Sequence, residues 1–314
     1  MSTGTSGAIV IGIVNNMPKA AAAAAQKQFH ELVADAAGEL PLTIRMFSPT
    51  GHAAPPANAR HEPADALWAS RLDGLIVTGT EPQTSSVADE PCWPFLSRLA
   101  DWAQDNTLSS VWSCLAAHAA VYRYDGIERR ELEAKLFGVY DCEILSRHEV
   151  LDGCGASWPV PHSRYNDLER DALVARGYTV IARSPDAGID SFLKQTKGLH
   201  FFLQGHPEYD AESLAREYRR DVRRFLARER ERYPDLPANY FAPDAAAALL
   251  EFRRKAISAR SVDILAEYPS GATARISEAR WRPTATRFYR NWLSHLWMLK
   301  KSRMGRRRKG TASA

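Results

Sequence analysis

The sequence predicts an α/β fold in which a mostly parallel sheet is covered by helices on both faces. Short runs of β-branched and other apolar residues alternate with segments of helical periodicity, and this alternation is typical of strand–helix–strand units. No internal repeat is visible along the 314 residues. The predicted strands, in chain order, are Ala8–Val14, Leu42–Phe47, Leu75–Thr78, Leu108–Trp112, Tyr178–Ala182 and Leu199–Leu203.

Four segments predict helices. Pro18 suits the first turn of a helix over Lys19–Ala37, because proline's missing N–H is harmless there and alanine has high helix propensity. In Pro91–Asn106 the apolar residues recur at helical spacing. A long helix is predicted over Ala211–Tyr233, whose many arginines and glutamates indicate a solvated face, and Ala245–Leu265 also has helical periodicity.

Length and charge predict how the chain is organised. We expect one α/β domain over residues 1–241, a C-terminal helical extension packed on the same domain over 242–299, and a basic, disordered tail over 300–314. The formal net charge is +4, and Lys300–Lys309 alone contains seven cations and no acid, so the rest of the chain carries −3. A short terminal run of charge is usually solvated, so we expect no nucleic-acid partner.

Cysteine usage and hydropathy predict the compartment. The cysteines at positions 92, 114, 142 and 154 show neither metal-ligand spacing nor a disulfide framework, which predicts no metal site and a reducing environment. The apolar start Ala8–Val14 is too short to cross a bilayer and lacks the flanks of a signal peptide. We therefore expect a cytoplasmic protein that does not associate with membranes.

Three side chains form a candidate catalytic set. Cys114 lies where a predicted strand gives way to an alanine-rich helix, and His206 and Glu208 follow another apolar strand. A free thiol titrates near pH ~8.5, so a cysteine nucleophile needs a helix start or a nearby imidazole to favour its thiolate. In extended backbone Glu208 projects to the same side as His206 and can orient the ring. This pattern predicts an acyl-transfer enzyme.

Several further segments give the chain a family resemblance. It resembles the homoserine O-acyltransferase family, built on the class I glutamine amidotransferase-like, flavodoxin-like three-layer fold, whose usual members transfer succinyl groups. The resemblance extends from about residue 8 to about residue 300. It rests on Asn16-Met17-Pro18-Lys19, Leu75–Gly79, Cys114, Lys135–Tyr140, Pro161-His162-Ser163-Arg164-Tyr165, His206–Asp210, Asn239-Tyr240-Phe241 and Asn291-Trp292-Leu293.

The resemblance implies a mechanism and its residues. Cys114 would take the acyl group from acyl-CoA, a co-substrate, and His206, oriented by Glu208, would deprotonate the side-chain hydroxyl of homoserine. No permanently bound cofactor is implied, and a homodimer is expected. The implied donors to the oxyanion are the backbone amides of Leu115 and Thr80. The implied substrate-binding residues are Lys135, Ser163 and Arg220, the last gripping the carboxylate of homoserine.

The chain departs from the family pattern beside the nucleophile. Leu115 and His118 replace the tryptophan and glutamine that commonly follow the cysteine. Four residues after Cys114, His118 is interpreted as a locally packed histidine rather than the base. Gln83 aligns with a position where glycine accompanies succinyl transfer and glutamate accompanies acetyl transfer. Because its amide can donate to a carboxylate, Gln83 favours a succinyl donor.

Other functions remain open at this point. Within the family, the alternatives are acetyl transfer or an amino-alcohol acceptor resembling serine. A glutamine amidotransferase-like amide hydrolase uses the same fold and the same three residues, although the chain lacks a Gly-x-Cys-x-Gly segment around Cys114. A non-catalytic binding or regulatory relative is the third alternative.

Overall fold

A ten-stranded sheet runs through the part of the chain that the structure describes, namely residues 7–49, 61–273 and 279–311 of a computed structural model. The strands are β1 (Ile9–Val14), β2 (Leu42–Ser48), β3 (His61–Pro63), β4 (Gly74–Val77), β5 (Ser109–Ser113), β6 (Arg130–Ile144), β7 (Ser157–Asp167), β8 (Thr179–Ser184), β9 (Gly188–Gln195) and β10 (Leu199–Leu203).

The helices lie between and after these strands. They are α1 (Lys19–Ala37), α2 (Ala64–Trp68), α3 (Trp93–Asn106), α4 (Leu115–Asp125), α5 (Arg170–Ala175), α6 (Ser213–Leu226), α7 (Pro243–Ala259), α8 (Ser270–Thr273) and α9 (Arg282–Thr311). Short 3-10 turns occupy Val87–Asp89, Glu149–Leu151 and Val262–Glu267.

The sheet has a parallel half and an antiparallel half. Its strand order is β3-β2-β1-β4-β5-β10-β9-β8-β6-β7. Neighbouring strands are parallel from β3 to β10 and antiparallel from β10 to β7. Because parallel strands end at the same edge, the loops after β1, β4, β5 and β10 come together there.

Helices cover both faces of the sheet. Alternate residues of β1, such as Ile11 and Ile13, face a core that also contains Phe29 of α1 and Trp292 of α9. On the other face, Val77 packs with residues of α3 and α4. The predicted α/β class, with a mostly parallel sheet flanked by helices, is therefore confirmed.

A third apolar cluster joins the C-terminal helices to the sheet. Phe225 of α6 and Phe252 of α7 pack with Val139 of β6 and with Trp281. The helical extension thus lies on the same body as the sheet, whereas the domain boundaries at 241 and 299 stay a prediction. Residues 274–278, between α8 and α9, lie outside the described ranges.

All six predicted strands are present with small shifts of their ends, but the sequence missed β3, β6, β7 and β9. Charged residues dominate the start of β6, and Pro159 and Pro161 argue against a strand in β7. Proline is tolerated in β7 because this strand lies at an edge of the sheet and pairs with β6 alone. In β9 the buried Asp190 and Ser191 interrupt the apolar pattern.

The predicted helices are present but differ in extent: the one expected over Ala211–Tyr233 spans Ser213–Leu226, and the one expected over Ala245–Leu265 divides into α7 and the 3-10 turn Val262–Glu267. Pro18 is the N-cap of α1, one position before the first turn in which we expected it. We also predicted a disordered tail from residue 300, but α9 continues to Thr311. The Lys300 ammonium donates to the Ala8 carbonyl and pairs with Asp73 at 2.7 Å, which holds the start of this segment against the sheet.

Substituting Trp292 by alanine tests whether α9 is part of the core. Trp292 is fully buried, and its Nε1 donates to Ser109 Oγ at 2.9 Å. We expect Trp292→Ala to lower the free energy of unfolding by about 3–5 kcal/mol, measured by urea denaturation. The matched control is Met298→Ala on the same helix, which is 67% exposed and should change stability by less than about 0.5 kcal/mol. Equal effects of the two substitutions would contradict this packing.

Candidate active site

Cys114 occupies a sharp turn between β5 and α4. Its backbone has φ 52° and ψ −121°, a region that residues with a side chain rarely adopt. The Cys114 N–H donates to the Leu203 carbonyl of β10 at 2.7 Å, and its own carbonyl accepts from Ala117 N at 2.9 Å. These bonds hold the strained turn and present a half-buried thiol at the start of α4.

Gly79 leaves the space that this turn needs. A Cβ placed on Gly79 would lie 2.9 Å from both the Cβ of Cys114 and the carbonyl oxygen of Ser113. The turn therefore forms without glycines beside Cys114, because the glycine is supplied by the loop after β4.

The two residues predicted to donate to an oxyanion lie beside the thiol. Leu115 and Thr80 line the same cavity as Cys114. Leu115 is the first residue of α4, and the first amides of a helix have no acceptor within the helix. Their assignment as donors to an oxyanion stays a prediction.

His206 and Glu208 form a buried pair next to Cys114. His206 Nδ1 lies 2.8 Å from Glu208 Oε1, which leaves Nε2 to face the thiol. Burial by itself lowers the pKa of His206, but the charge of Glu208, hydrogen bonds to Cys114 and Glu208, and the charge of Cys114 hold its pKa well above the usual value. The ring is therefore kept protonated by its two partners.

The local backbone differs from our expectation. We predicted an extended segment from His206 to Glu208, whereas the chain turns at Pro207 and Glu208, and Tyr209 N donates to the His206 carbonyl at 3.1 Å. The turn also stacks the Tyr209 ring on the His206 ring, with centroids 4.4 Å apart and planes at 15°. Tyr209 is thus a site residue that the sequence did not reveal.

Lys135, Ser163 and Arg220 line the same cavity, as the resemblance implies. They are joined by two acids of α6 that sequence reasoning missed. Ser163 Oγ donates to Glu217 at 2.5 Å, Lys135 Nζ donates to Asp221 at 3.0 Å, and the Arg220 guanidinium donates to Asp221 at 2.9 Å. The four-residue spacing of Glu217 and Asp221 puts both on one face of the helix, which was the available signal.

Both acids stay ionised in spite of their burial. Burial opposes ionisation, but Lys135, with hydrogen bonds from Ser163 and Tyr209, holds the pKa of Glu217 below its usual value. Asp221 behaves in the same way, since Lys135 and Arg220 outweigh the effect of burial and lower its pKa. The cavity therefore presents fixed positive and negative charges a short distance from Cys114.

Two other predicted residues lie differently. Gln83 lines a neighbouring depression rather than the cavity of Cys114, and its N–H donates to the Glu90 carboxylate at 3.1 Å. His118 lines the cavity of Cys114, but it is 2% exposed, its Nε2 lies 2.9 Å from Gln204 Oε1, and burial lowers its pKa to about 4. A neutral, hydrogen-bonded His118 agrees with its interpretation as a packed histidine.

One buried group combines metal-ligand side chains. Ligand atoms of Cys142, His162 and Asp190 lie within 4.8 Å of one another. The Arg164 Nε–H points to His162 Nδ1 at 3.3 Å, which places the proton of a neutral ring on Nε2, the nitrogen that faces Asp190. A protonated Nε2 is not a metal ligand, so we assign no ion here, and the absence of a metal stays a prediction.

The fold is that of the class I glutamine amidotransferases, an α/β fold with a mostly parallel sheet flanked by helices. A solved glutamine amidotransferase from Methylobacillus flagellatus matches 92% of the chain and 95% of its own length, with a TM-score of 0.51 and 15% identity. One from Thermotoga maritima matches 92% and 98%, with a TM-score of 0.50 and 13% identity. At such identities the likeness shows the fold alone.

The particular family follows from sequence comparison. The family model of homoserine O-succinyltransferase matches residues 5–302, and the chain belongs to that family. A homoserine O-succinyltransferase of Rhodopseudomonas palustris is 44% identical over 92% of the chain and 88% of its own length. One of Methylorubrum extorquens is 43% identical over 90% of the chain and 86% of its own length.

Within the described ranges, no helix combines the length and the apolar character needed to span a bilayer.

Replacing Glu208 by glutamine tests the charge on His206. The raised pKa stabilises the fold fully below the pKa of an unfolded histidine, about 6.5, and this stabilisation is lost as pH rises through the higher pKa of the folded state. We expect the free energy of unfolding of the wild type to fall across that range, and Glu208→Gln to reduce the fall and shift it to lower pH. Urea unfolding at a series of pH values measures this.

The matched control for that experiment is Glu212→Gln, because the Glu212 side chain is 67% exposed and lies outside the cavity. It should leave the pH dependence unchanged. A Glu208→Gln profile that overlays the wild-type profile would show that Glu208 does not hold the proton on His206.

Proposed function

We propose that this protein transfers a succinyl group from succinyl-CoA to the side-chain hydroxyl of L-homoserine, a step of methionine biosynthesis. The observation that carries the proposal is the strained Cys114 turn, whose thiol interacts with a His206 ring held by Glu208. Membership of the homoserine O-succinyltransferase family supports the substrate pair. The metabolic step follows from that reaction.

In the first half-reaction the Cys114 thiolate attacks the thioester carbonyl of the donor. The carbonyl oxygen gains negative charge, and the amides of Leu115 and Thr80 would donate to it, each contributing about 3–4 kcal/mol. The carbon–sulfur bond to coenzyme A then breaks, and the leaving thiolate takes the proton of the His206 imidazolium. The product is an acyl-enzyme on Cys114 with a neutral His206.

In the second half-reaction the neutral His206 acts as general base. It takes the proton of the acceptor hydroxyl while the oxygen attacks the Cys114 thioester, a step that typically contributes about 10²–10⁴ in rate. The intermediate collapses, the ester leaves, and the Cys114 thiolate again faces a protonated ring. The pairing of His206 with Glu208 suits this cycle because the ring returns to its charged form each time.

The charged cavity matches the two charges of an amino acid. Arg220 can bind a carboxylate through two parallel hydrogen bonds, and its side chain is 42% exposed. The ionised Glu217 is the natural partner for the ammonium group. Lys135 and Ser163, which both contact Glu217, would orient it and contact the acceptor.

Succinyl transfer is preferred to acetyl transfer because the curated relatives are homoserine O-succinyltransferases. A role for Gln83 in this choice stays a prediction, and its place beside rather than in the cavity points to an indirect effect through the loop 80–84. Amide hydrolysis, the alternative from another class, is not favoured, because the family model and the relatives that match most of the chain are homoserine O-succinyltransferases.

The oligomeric state and the location in the cell are also part of this proposal. We expect a homodimer, as the family resemblance implies, and a cytoplasmic location, where acyl-CoA is available.

Covalent labelling tests the role of the thiol. After mixing with succinyl-CoA without homoserine, the intact protein should gain one succinyl group, and peptide mapping should place it on Cys114. Cys114→Ala should gain none. Cys92→Ser is the matched control and should be acylated like the wild type, because Cys92 does not line the cavity. Labelling at another residue, or stronger labelling by acetyl-CoA, would overturn this assignment.

Acceptor recognition is tested at Arg220. Arg220→Lys keeps the charge but removes the bidentate contact, so we expect the KM for homoserine to rise about tenfold or more. The rate of Cys114 acylation should change little. Arg223→Lys, an exposed arginine of the same helix, is the control. Stopped-flow acylation and steady-state kinetics separate the two steps, and an unchanged KM would remove Arg220 from the acceptor site.

A further inference from the structure

Two cavities meet at His206. The charged cavity described above encloses about 80 Å³, and a larger groove of about 280 Å³ lies between α1 and α6. Both are lined by the same junction residues, which are Met17, Gly79, His206, Tyr209, Glu217 and Arg220. A molecule in the groove therefore reaches His206 directly, and its end can enter the charged cavity, which Cys114 lines, at this junction.

One wall of the groove is the alanine tract of α1. Ala20, Ala21, Ala24 and Ala25 line it, at positions that place them on one face of the helix. A side chain no larger than a methyl group leaves room for a slender ligand along the helix. Ala20 and Ala24 are exposed, so this apolar face is not covered by the described part of the chain.

At the floor of the groove, one carboxylate oxygen of Glu208 accepts no hydrogen bond from the described residues. Glu208 lines the groove and is 3% exposed, and its Oε2 has no hydrogen-bond partner among the described residues, while Oε1 binds His206. A buried carboxylate oxygen without a partner is costly. A ligand that donates an N–H near the junction would remove this cost.

The two cavities differ in the kind of molecule they suit. The charged cavity is small and holds fixed charges of both signs, which match an amino acid. The groove is larger. Its α6 side carries Arg216, Glu217 and Arg220, whereas its α1 side is a neutral alanine wall, along which a long, uncharged chain with a few amide groups can lie. The pantetheine arm of coenzyme A has this chemistry, since it carries two amides and two methyl groups and no charge.

We propose that the groove between α1 and α6 holds the pantetheine arm of acyl-CoA and delivers the thioester to Cys114 at the junction. This inference rests on the proposed function. Gly79 lines both cavities and packs closely against the Cys114 turn, so the end of the arm would pass this glycine to reach the thiol. The donor and the acceptor then approach Cys114 from different sides.

Filling the groove with a larger side chain tests the proposal. Ala24→Leu, and Ala20→Leu as a second variant, should raise the KM for succinyl-CoA about tenfold or more, with the KM for homoserine unchanged. With the succinyl thioester of N-acetylcysteamine, which lacks most of the arm, the same variants should match the wild type. Ala23→Leu is the matched control, because Ala23 is exposed on α1 but does not line the groove.

The outcomes separate this inference from the proposed function. If Cys114 of the wild type is acylated but both groove variants keep the wild-type KM for succinyl-CoA, the groove does not hold the arm. An equal loss with the long and the truncated donor contradicts the proposal too, because it indicates damage to the reaction centre. If neither donor acylates wild-type Cys114, the proposed function fails first and this inference fails with it.

Discussion

The rest of the site depends on the buried charge shared by His206 and Glu208. Two ionisable side chains taken out of water are stable only when they satisfy each other, and removal of one partner of such a pair typically costs about 3–5 kcal/mol. Here the protonated ring has Glu208 on Nδ1 and the Cys114 thiol on its other side. The Tyr209 ring stacks on it, so the imidazole is fixed in plane as well as in charge.

The parallel half of the sheet explains why these groups meet. Cys114 follows β5, His206 follows β10, and β5 and β10 are adjacent parallel strands, while Gly79 follows β4 on the other side of β5. Three loops therefore converge on one edge, where a glycine allows the nucleophile turn to adopt a positive φ. The antiparallel half adds polar groups to the cavity, because Lys135 of β6 and Ser163 of β7 contact the acids of α6.

The parallel half of the sheet was predictable from the sequence because its strands are short apolar runs. The grouping of Cys114, His206 and Glu208 was predictable because these residue types in this arrangement have few alternative roles. The sequence was insufficient for β6, β7 and β9, because charged residues, prolines and buried polar groups disrupt the patterns on which such a prediction depends. The place of Tyr209 in the site arises from a local turn after His206 that the sequence did not predict, whereas the places of Glu217 and Asp221 arise from contacts with the distant Ser163 and Lys135. The spacing of α6 alone could not distinguish them from solvated charges.

The most direct test of the account is a crystal structure of the acyl-enzyme, trapped by mixing the wild-type protein with succinyl-CoA in the absence of homoserine. The account predicts a thioester on Cys114 whose carbonyl oxygen lies about 2.7–3.1 Å from the amide nitrogens of Leu115 and Thr80. A thioester whose carbonyl oxygen points away from both amides, or a Cys114 that has left the strained turn, would contradict it.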